Sequence, residues 1–176
     1  MGGYTTPNIR ASAGDTYPAI YGEQYVKDDQ GRILVDEDPA SANYGLPMVG
    51  EFGKIGDVSP DFIMGLRNGF TIFKYVTLSA FMEWKNGGDI YSGSNRLMNL
   101  YGSSATTEDR ETPFIYPGYL SNGTPNNIER GGVGDEDAYF QLYANTLSSL
   151  PEANIMDASY LQLSEVALTF KLPKNI

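Results

Sequence analysis

The stretch DFIMGLRNGFTIFKYVTLSAFMEW, residues 61–84, carries the clearest pattern in the chain. Its even-numbered positions are apolar from Phe62 to Ile72, apart from Asn68, and again from Val76 to Trp84. The odd-numbered positions mostly carry polar or small residues. Alternation with a period of two over about ten residues, twice, with a tight link between the runs, predicts a long antiparallel hairpin with one apolar face.

A third strand is predicted near the C-terminal end, where apolar residues alternate again. Leu161 and Leu163 are out of phase with Val166, which predicts a β-bulge near Ser164 and Glu165. The expected strands cover about 61–72, 76–86 and 159–172.

The rest of the chain is predicted to be rich in loops. Residues 1–60 are read as a loop-rich segment with one hairpin at about 17–35, around an Asp- and Gly-containing turn, and with loop over 36–53. Residues 87–157 show no sustained period, and one local helical turn is predicted near 137–147. A loop of that length is uncommon unless it is a functional loop held by a rigid scaffold.

Composition excludes several function classes. The 176 residues include 12 Lys and Arg against 22 Asp and Glu, a net charge of −10, so no nucleic-acid partner is expected. Cysteine and histidine are absent, which excludes disulfides, thiolate zinc sites and Ser-His-Asp triads. The acidic stretches 28–29, 36–38 and 135–137 are read as solvated loop charge in preference to cation sites. We therefore expect no enzyme, no catalytic residue, no metal and no cofactor.

The predicted strands match two kinds of β-protein. Membrane barrels use strands of about 9–11 residues that alternate apolar and polar and join through one short link and one long loop. Aromatic residues near the strand ends suit the girdle of such a barrel, namely Phe62, Phe73, Tyr75, Trp84 and Tyr160. Half-buried strands of a soluble β-domain also alternate, although they are usually shorter.

Short segments along the chain match one family in order. They are YPAIYGEQYVKDDQGRILV (17–35), IGDVSPDF (55–62), GLRNGFT (65–71), GGDIYS (87–92), TEDR (107–110), PFIYPG (113–118), NGTPN (122–126), DASYLQLSEVAL (157–168) and FKLP (170–173). Together they resemble the SusC/RagA family of TonB-linked (TonB-dependent) outer-membrane transporters. The chain departs from the family pattern at Gln162 and Ser164, where a basic pair is usual.

This resemblance implies an all-β fold: antiparallel strands of a TonB-dependent transporter β-barrel, present as a C-terminal-half fragment, with one long extracellular loop at about 87–157. The parent protein would import oligosaccharides or oligopeptides across a bacterial outer membrane. Its partners would be a SusD-like surface lipoprotein, outer-membrane lipid, the glycan or peptide substrate, and the TonB complex, which acts through an N-terminal part that this sequence does not contain. The alternative is a self-standing soluble β-rich module for surface glycan binding or adhesion.

The long loop supplies the candidate contacts to substrate or partner. Aromatic rings can stack on the apolar faces of sugars, and the neighbouring amides and guanidinium groups can form hydrogen bonds. The candidates are Tyr91, Asn95, Arg96, Tyr101, Arg110, Phe114, Tyr116 and Tyr119, with Asn99 as a further polar neighbour. Packing of these side chains within the loop, or against a partner, is the alternative interpretation.

Overall fold

The computed structural model describes residues 7–72 and 74–172. The β-strands are β1 (Asn8–Arg10), β2 (Ala19–Tyr25), β3 (Val49–Asp57), β4 (Phe62–Ile72), β5 (Val76–Asn86), β6 (Asp89–Tyr91), β7 (Phe114–Ile115), β8 (Glu129–Arg130), β9 (Ile155–Asp157) and β10 (Tyr160–Phe170). The helices are α1 (Gly93–Leu100) and α2 (Asp137–Tyr139), which continues as a π-helix (Phe140–Leu147), with 3-10 turns at Ala105–Thr107 and Pro151–Asn154. The predictions for Phe73, Pro173 and residues 1–6 lie outside the described residues.

The described part of the chain is mostly β, with 43% of its residues in β structure and 17% in helices, and its sheets are antiparallel. The all-β class predicted from the sequence is confirmed at that level. Among the described residues, no helix is both long enough and apolar enough to span a membrane.

The three longest strands form one sheet, called here the long sheet, in the order β10-β5-β4. β4 pairs with β5 from Phe62↔Asn86 to Ile72↔Val76 without interruption, which confirms the predicted hairpin. β10 pairs along the other side of β5, and its register shifts between Leu163 and Glu165. This shift confirms the predicted bulge.

The bulge gives the long sheet one continuous apolar face. Leu161 and Leu163 are out of phase with Val166, Leu168 and Phe170, so in an unbroken strand the two groups would point to opposite faces. The extra residue at the bulge reverses the alternation and places both groups on the same face. By this register the face carries Phe62, Met64, Leu66, Phe70, Ile72, Val76, Leu78, Ala80, Met82, Trp84, Leu161, Leu163, Val166, Leu168 and Phe170. None of the residues of β4, β5 and β10 is buried.

The opposite face of the long sheet is largely polar. Arg67 on β4 reaches across β5 to Glu165 on β10, with 2.9 Å between Nη2 and Oε2. The guanidinium passes over the ring of Phe81 on the strand between them, 5.4 Å from its centroid. This cross-strand contact ties the two outer strands together over the central one.

The buried core lies entirely in the remainder of the described chain, residues 7–58 and 87–158, called here the head. Its buried apolar residues are Ala19, Ile20, Tyr21, Val35, Leu46, Ala138, Leu142, Ala144 and Leu150. The sheet β1-β2-β3 packs against the 3-10 turn Pro151–Asn154. A Cβ at Gly22 would lie 2.8 Å from the Cβ of Pro151, so only glycine allows β2 to approach this turn so closely.

The N-terminal segment and the long loop are joined within the head. The Glu152 carboxylate accepts a hydrogen bond from the backbone N–H of Tyr25, at 2.7 Å, and forms an ion pair with Lys27. Val35 donates its backbone N–H to the carbonyl of Tyr119 at 3.0 Å. Segments more than 80 positions apart in sequence therefore form one packed unit.

Two parts of the N-terminal segment differ from expectation. The turn of the predicted hairpin forms, with the Asp28 N–H 3.0 Å from the Arg32 carbonyl and with Ile33 bridged to Lys27. In place of a longer second strand, Leu34 and Val35 make isolated bridges to distant residues. β2 pairs instead with β1 and β3. β3 includes residues 49–53, which were predicted as loop. The glycines of β3 interrupt the alternation of apolar and polar residues that would have indicated a strand. At Gly53, the Gln24 side chain occupies the space where a Cβ would lie.

The head joins the long sheet at the end where β4 begins, β5 ends and β10 begins, and backbone hydrogen bonds continue the strand pairing on both sides of this junction. Asp61 N–H donates to the Asn86 carbonyl at 2.9 Å, and Ala158 N–H donates to the Gly88 carbonyl at 2.8 Å. Gly87 and Gly88 have φ values of +76° and +83°, a conformation that favours glycine. The sequence Gly87-Gly88 thus turns the chain from β5 into the head.

Candidate ligand-binding clefts of the head

Two clefts lie beside α2 and the π-helix that follows it. The first cleft has a volume of about 380 Å³, and its walls include Asn99, Tyr101, Arg110, Glu136, Tyr139, Phe140 and Tyr143. The second has about 310 Å³, and its walls include Asp109, Phe114, Tyr116, Tyr139, Leu142 and Tyr143. Tyr139 and Tyr143 line both clefts. Volumes of this size are at the lower end of the range for small-molecule sites.

The wall between the clefts is built from aromatic rings. Tyr139 stacks on Tyr143 with ring centroids 6.2 Å apart, and Phe114 packs at 4.9 Å on Tyr139. The Tyr139 hydroxyl donates to the carbonyl of Thr112 at 2.6 Å. Burial raises the pKa of both tyrosines, and the charge of Asp109 raises that of Tyr139 further, so both phenols are neutral at neutral pH.

Helix α1 brings the opposite wall of the first cleft into place. The helix begins at an N-cap, where the Ser92 hydroxyl accepts the N–H of Asn95 at 3.2 Å. It ends two residues before Gly102, which has a φ of +63° and donates its N–H to the carbonyl of Asn99. The Asn99 side chain is placed at the floor of the cleft in this way.

Arg110 closes the turn that follows α1. Its Nε donates to the carbonyl of Thr107 at 2.9 Å, and its Nη2 donates to the carbonyl of Gly102 at 2.8 Å. A side chain at position 102 would collide with this guanidinium, since an ideal Cβ would lie 2.4 Å from Nη2. Two backbone carbonyls therefore fix the guanidinium at the edge of the first cleft.

The structure brings four of the eight predicted contact residues to these two clefts. Tyr101 and Arg110 line the first cleft, and Phe114 and Tyr116 line the second. Tyr91 lies elsewhere, at the end of β6, where it lines an apolar cleft beside Ile20 and Ile90.

The other three predicted residues are held by contacts inside the head. Asn95 donates through Nδ2 to the Oδ1 of Asn154 at 3.0 Å, and Arg96 donates through Nε to the carbonyl of Ser148 at 2.7 Å. Tyr119 lies under the guanidinium of Arg32, 4.3 Å from the ring centroid. These contacts fit the alternative interpretation, packing within the loop.

Sequence reasoning did not single out Glu136, Tyr139, Phe140 or Tyr143, which also line the first cleft. Tyr139 and Tyr143 stand four apart in the stretch 137–147, whose predicted helical turn forms, and an aromatic pair at that spacing was the available signal. Glu136 carries no such signal, because only the folding of distant segments brings it to the cleft.

Acidic residues of the head mostly act as local ion-pair or hydrogen-bond partners. Hydrogen bonds from Arg32 lower the pKa of the Asp28 carboxyl, and Arg130 lowers that of Asp135. Within residues 7–72 and 74–172, no group of three acidic side chains is arranged to hold a metal ion.

No protein-family model matches this sequence, and no curated protein matches it in a direct sequence comparison.

Proposed function

We propose that this chain is part of an outer-membrane nutrient importer of the SusC/RagA type, with the long sheet in the barrel wall and the head on the extracellular side. The observation that carries the proposal is the exposed apolar face of the long sheet. Fifteen side chains form it, with two polar positions on the same face, Asn68 in the middle and Asn86 at the end of β5. An apolar face of this extent marks a surface that is covered by lipid or by another protein.

The dimensions of the long sheet support a membrane location. Each of its three strands has 11 residues. At about 3.3 Å per residue and a tilt of about 45°, such a strand covers a height of about 25 Å, which is the height of the apolar band of outer-membrane barrels. The polar face with its Arg67–Glu165 pair is suited to a water-filled barrel interior.

Aromatic residues stand at the ends of the strands, as an interfacial girdle requires. At the end nearest the head, Phe62 and Trp84 meet edge to face with centroids 5.0 Å apart. At the other end stand Phe170 and Tyr75, both exposed. Both proposed interfaces thus carry aromatic rings.

In a membrane, the outer edges of β4 and β10 would need to pair with further strands. Among the described residues, β4 and β10 each pair only with β5. An open edge inside lipid leaves backbone N–H and C=O groups without partners, at a cost of several kcal/mol per group. The proposal therefore places the rest of the barrel in sequence beyond this chain, as a C-terminal-half fragment requires.

In this reading the chain has no catalytic role. The barrel imports oligosaccharides or oligopeptides with energy from TonB, and the head meets the substrate or a SusD-like lipoprotein. The competing candidate is a soluble glycan-binding or adhesion module. It is favoured by one observation, the head's own buried core, which needs no membrane.

Tryptophan fluorescence in vesicles distinguishes the two candidates. Trp84 is the sole tryptophan, lies on the apolar face and is 43% exposed. We expect its emission to shift to shorter wavelength on addition of phospholipid vesicles, and to be quenched when the acyl chains carry bromine.

Relocated tryptophans give the matched control. In the Trp84→Phe background, Leu78→Trp places the probe on the apolar face, and Ser79→Trp places it one residue away on the polar face. The proposal requires stronger quenching for position 78 than for position 79. Equal emission at both, with cooperative unfolding of a monomer in detergent-free buffer, supports the soluble module instead.

A further inference from the structure

The first cleft of the head contains two hydrogen-bond donors with unused capacity. Asn99 is only 7% exposed and lines the cleft. Its Oδ1 accepts from the Thr106 hydroxyl, but no described residue accepts a hydrogen bond from its Nδ2. Arg110 uses Nε and Nη2 on backbone carbonyls, and among the described residues its Nη1 has no acceptor. These side chains line the cleft, so the donors that the fold leaves unused are available to an acceptor from outside the chain.

From these donors we propose that the first cleft binds a carboxylate carried on a small ring or apolar group. The guanidinium and the amide supply N–H donors for the carboxylate oxygens, and hydrogen bonds between charged partners are stronger than neutral ones. The rings of Tyr101, Tyr139 and Tyr143 supply a flat apolar wall for the rest of the ligand. The bound group is a carboxylate on a sugar ring or at the C-terminal end of a peptide.

The acidic residues near the cleft are already engaged with backbone groups. Glu136 lines the cleft, and its Oε1 accepts the N–H of Gly134 at 3.0 Å. Asp109 accepts the N–H groups of Glu111 and Thr112 through Oδ1, at 3.2 and 3.1 Å. These bonds hold the two carboxylates in their own turns, while Arg110 is the cation that lines the cleft.

The inference uses the cleft residues alone and does not depend on whether the long sheet lies in a membrane. Binding to the full 176-residue chain can therefore be measured by titration calorimetry under one set of conditions. The probes are N-acetylphenylalanine and glucuronic acid, each compared with its neutral amide. We expect one of the acids to bind, with its amide at least about tenfold weaker. The acid that binds more tightly identifies the peptide or the sugar source.

Two variants test the donors, and a third controls for charge. Asn99→Asp replaces the amide donor with an acceptor, and Arg110→Gln removes the guanidinium; each should weaken binding of the acid at least about tenfold. Arg67→Gln removes the same charge from the long sheet and should leave binding unchanged. Because Arg110 also closes a turn, the comparison of acid with amide in the unaltered chain stands on its own. Equal binding of acid and amide, or no binding of either acid, overturns the proposal.

Discussion

The head and the long sheet differ in whether they bury apolar side chains. The head has an irregular sequence and short elements, yet it holds every buried apolar residue among those described. The long sheet has the most regular alternation in the chain and buries none of its residues. Periodicity therefore reports which side chains share a face, but it does not report what covers that face. In this protein the head is stabilised by its own contacts, whereas the long sheet presents its apolar face outward.

The largest expected difference between the two regions comes from truncating a leucine in each. Leu150 in the head is fully buried, so Leu150→Ala should lower the free energy of unfolding by about 2–5 kcal/mol through lost burial and a cavity. Leu168 on the long sheet is 56% exposed, and Leu168→Ala should have a much smaller effect without lipid. Denaturant unfolding of both variants measures the difference. Similar losses for the two would contradict the contrast.

A charge placed on either face of the long sheet tests what covers the apolar one. Ala80 and Ser79 are small, adjacent residues of β5 that point to opposite faces. Ala80→Lys should weaken partitioning into vesicles by about 2–4 kcal/mol, because it places a charge near the middle of the lipid-facing band. Ser79→Lys is the control and should change partitioning little. Equal partitioning of the two variants would show that this face does not meet lipid.

Truncation of a glutamate side chain compares the Glu152 contacts that link two segments of the head with the Glu165–Arg67 ion pair on the long sheet. Glu152 holds the Tyr25 N–H and Lys27 from a largely buried position, so Glu152→Ala should destabilise the chain by about 1–2 kcal/mol. Glu165 pairs with Arg67 where both side chains are well exposed, so Glu165→Ala should cost less than about 1 kcal/mol. Thermal unfolding of the two variants measures both losses of stability. A larger loss for Glu165→Ala than for Glu152→Ala would show that the Glu152 contacts do not stabilise the head as expected.

The smallest expected effect is a pH dependence in the head. Arg130 and the N–H of Gly131 hold the pKa of Asp135 below its ordinary value, about 3.9. A carboxyl with a lowered pKa stabilises the folded state above its unfolded-state pKa and loses that contribution as the pH falls through its folded-state pKa. The stability difference between the parent chain and Asp135→Asn should therefore be full at pH 7 and should shrink below about pH 4. Unfolding at several pH values checks this, and a difference that stays constant would count against the Asp135 ion pair.

Local patterns predicted the long sheet well because its determinants are local. The alternation from Phe62 to Trp84 sets the two faces, and the phase change between Leu163 and Val166 sets the bulge, whatever the sheet packs against. The second arm of the N-terminal hairpin was predicted correctly only next to its turn, where Ile33 bridges Lys27. Leu34 and Val35 bridge Tyr119 and Pro47, which no local pattern indicates.

The first cleft could be predicted only in part, for the same reason. Tyr101 and Arg110 are recognisable as an aromatic and a cation in a long polar loop, and both line the cleft. Asn99 gives no sign in the sequence that its amide is buried at the cleft floor. Its position depends on the end of α1, the Arg110 turn and the π-helix, which meet only in the folded head.

The sequence by itself determined the β class, the three long strands, their bulge and their two faces, because these depend on neighbours one or two positions away. It also excluded histidine and cysteine chemistry by composition. Only the tertiary structure decided that the long loop and the N-terminal segment form one core, and that four of the predicted residues line two clefts. These features depend on contacts across as many as 127 positions, such as that between Tyr25 and Glu152, and contacts of that range leave no periodic trace in a sequence.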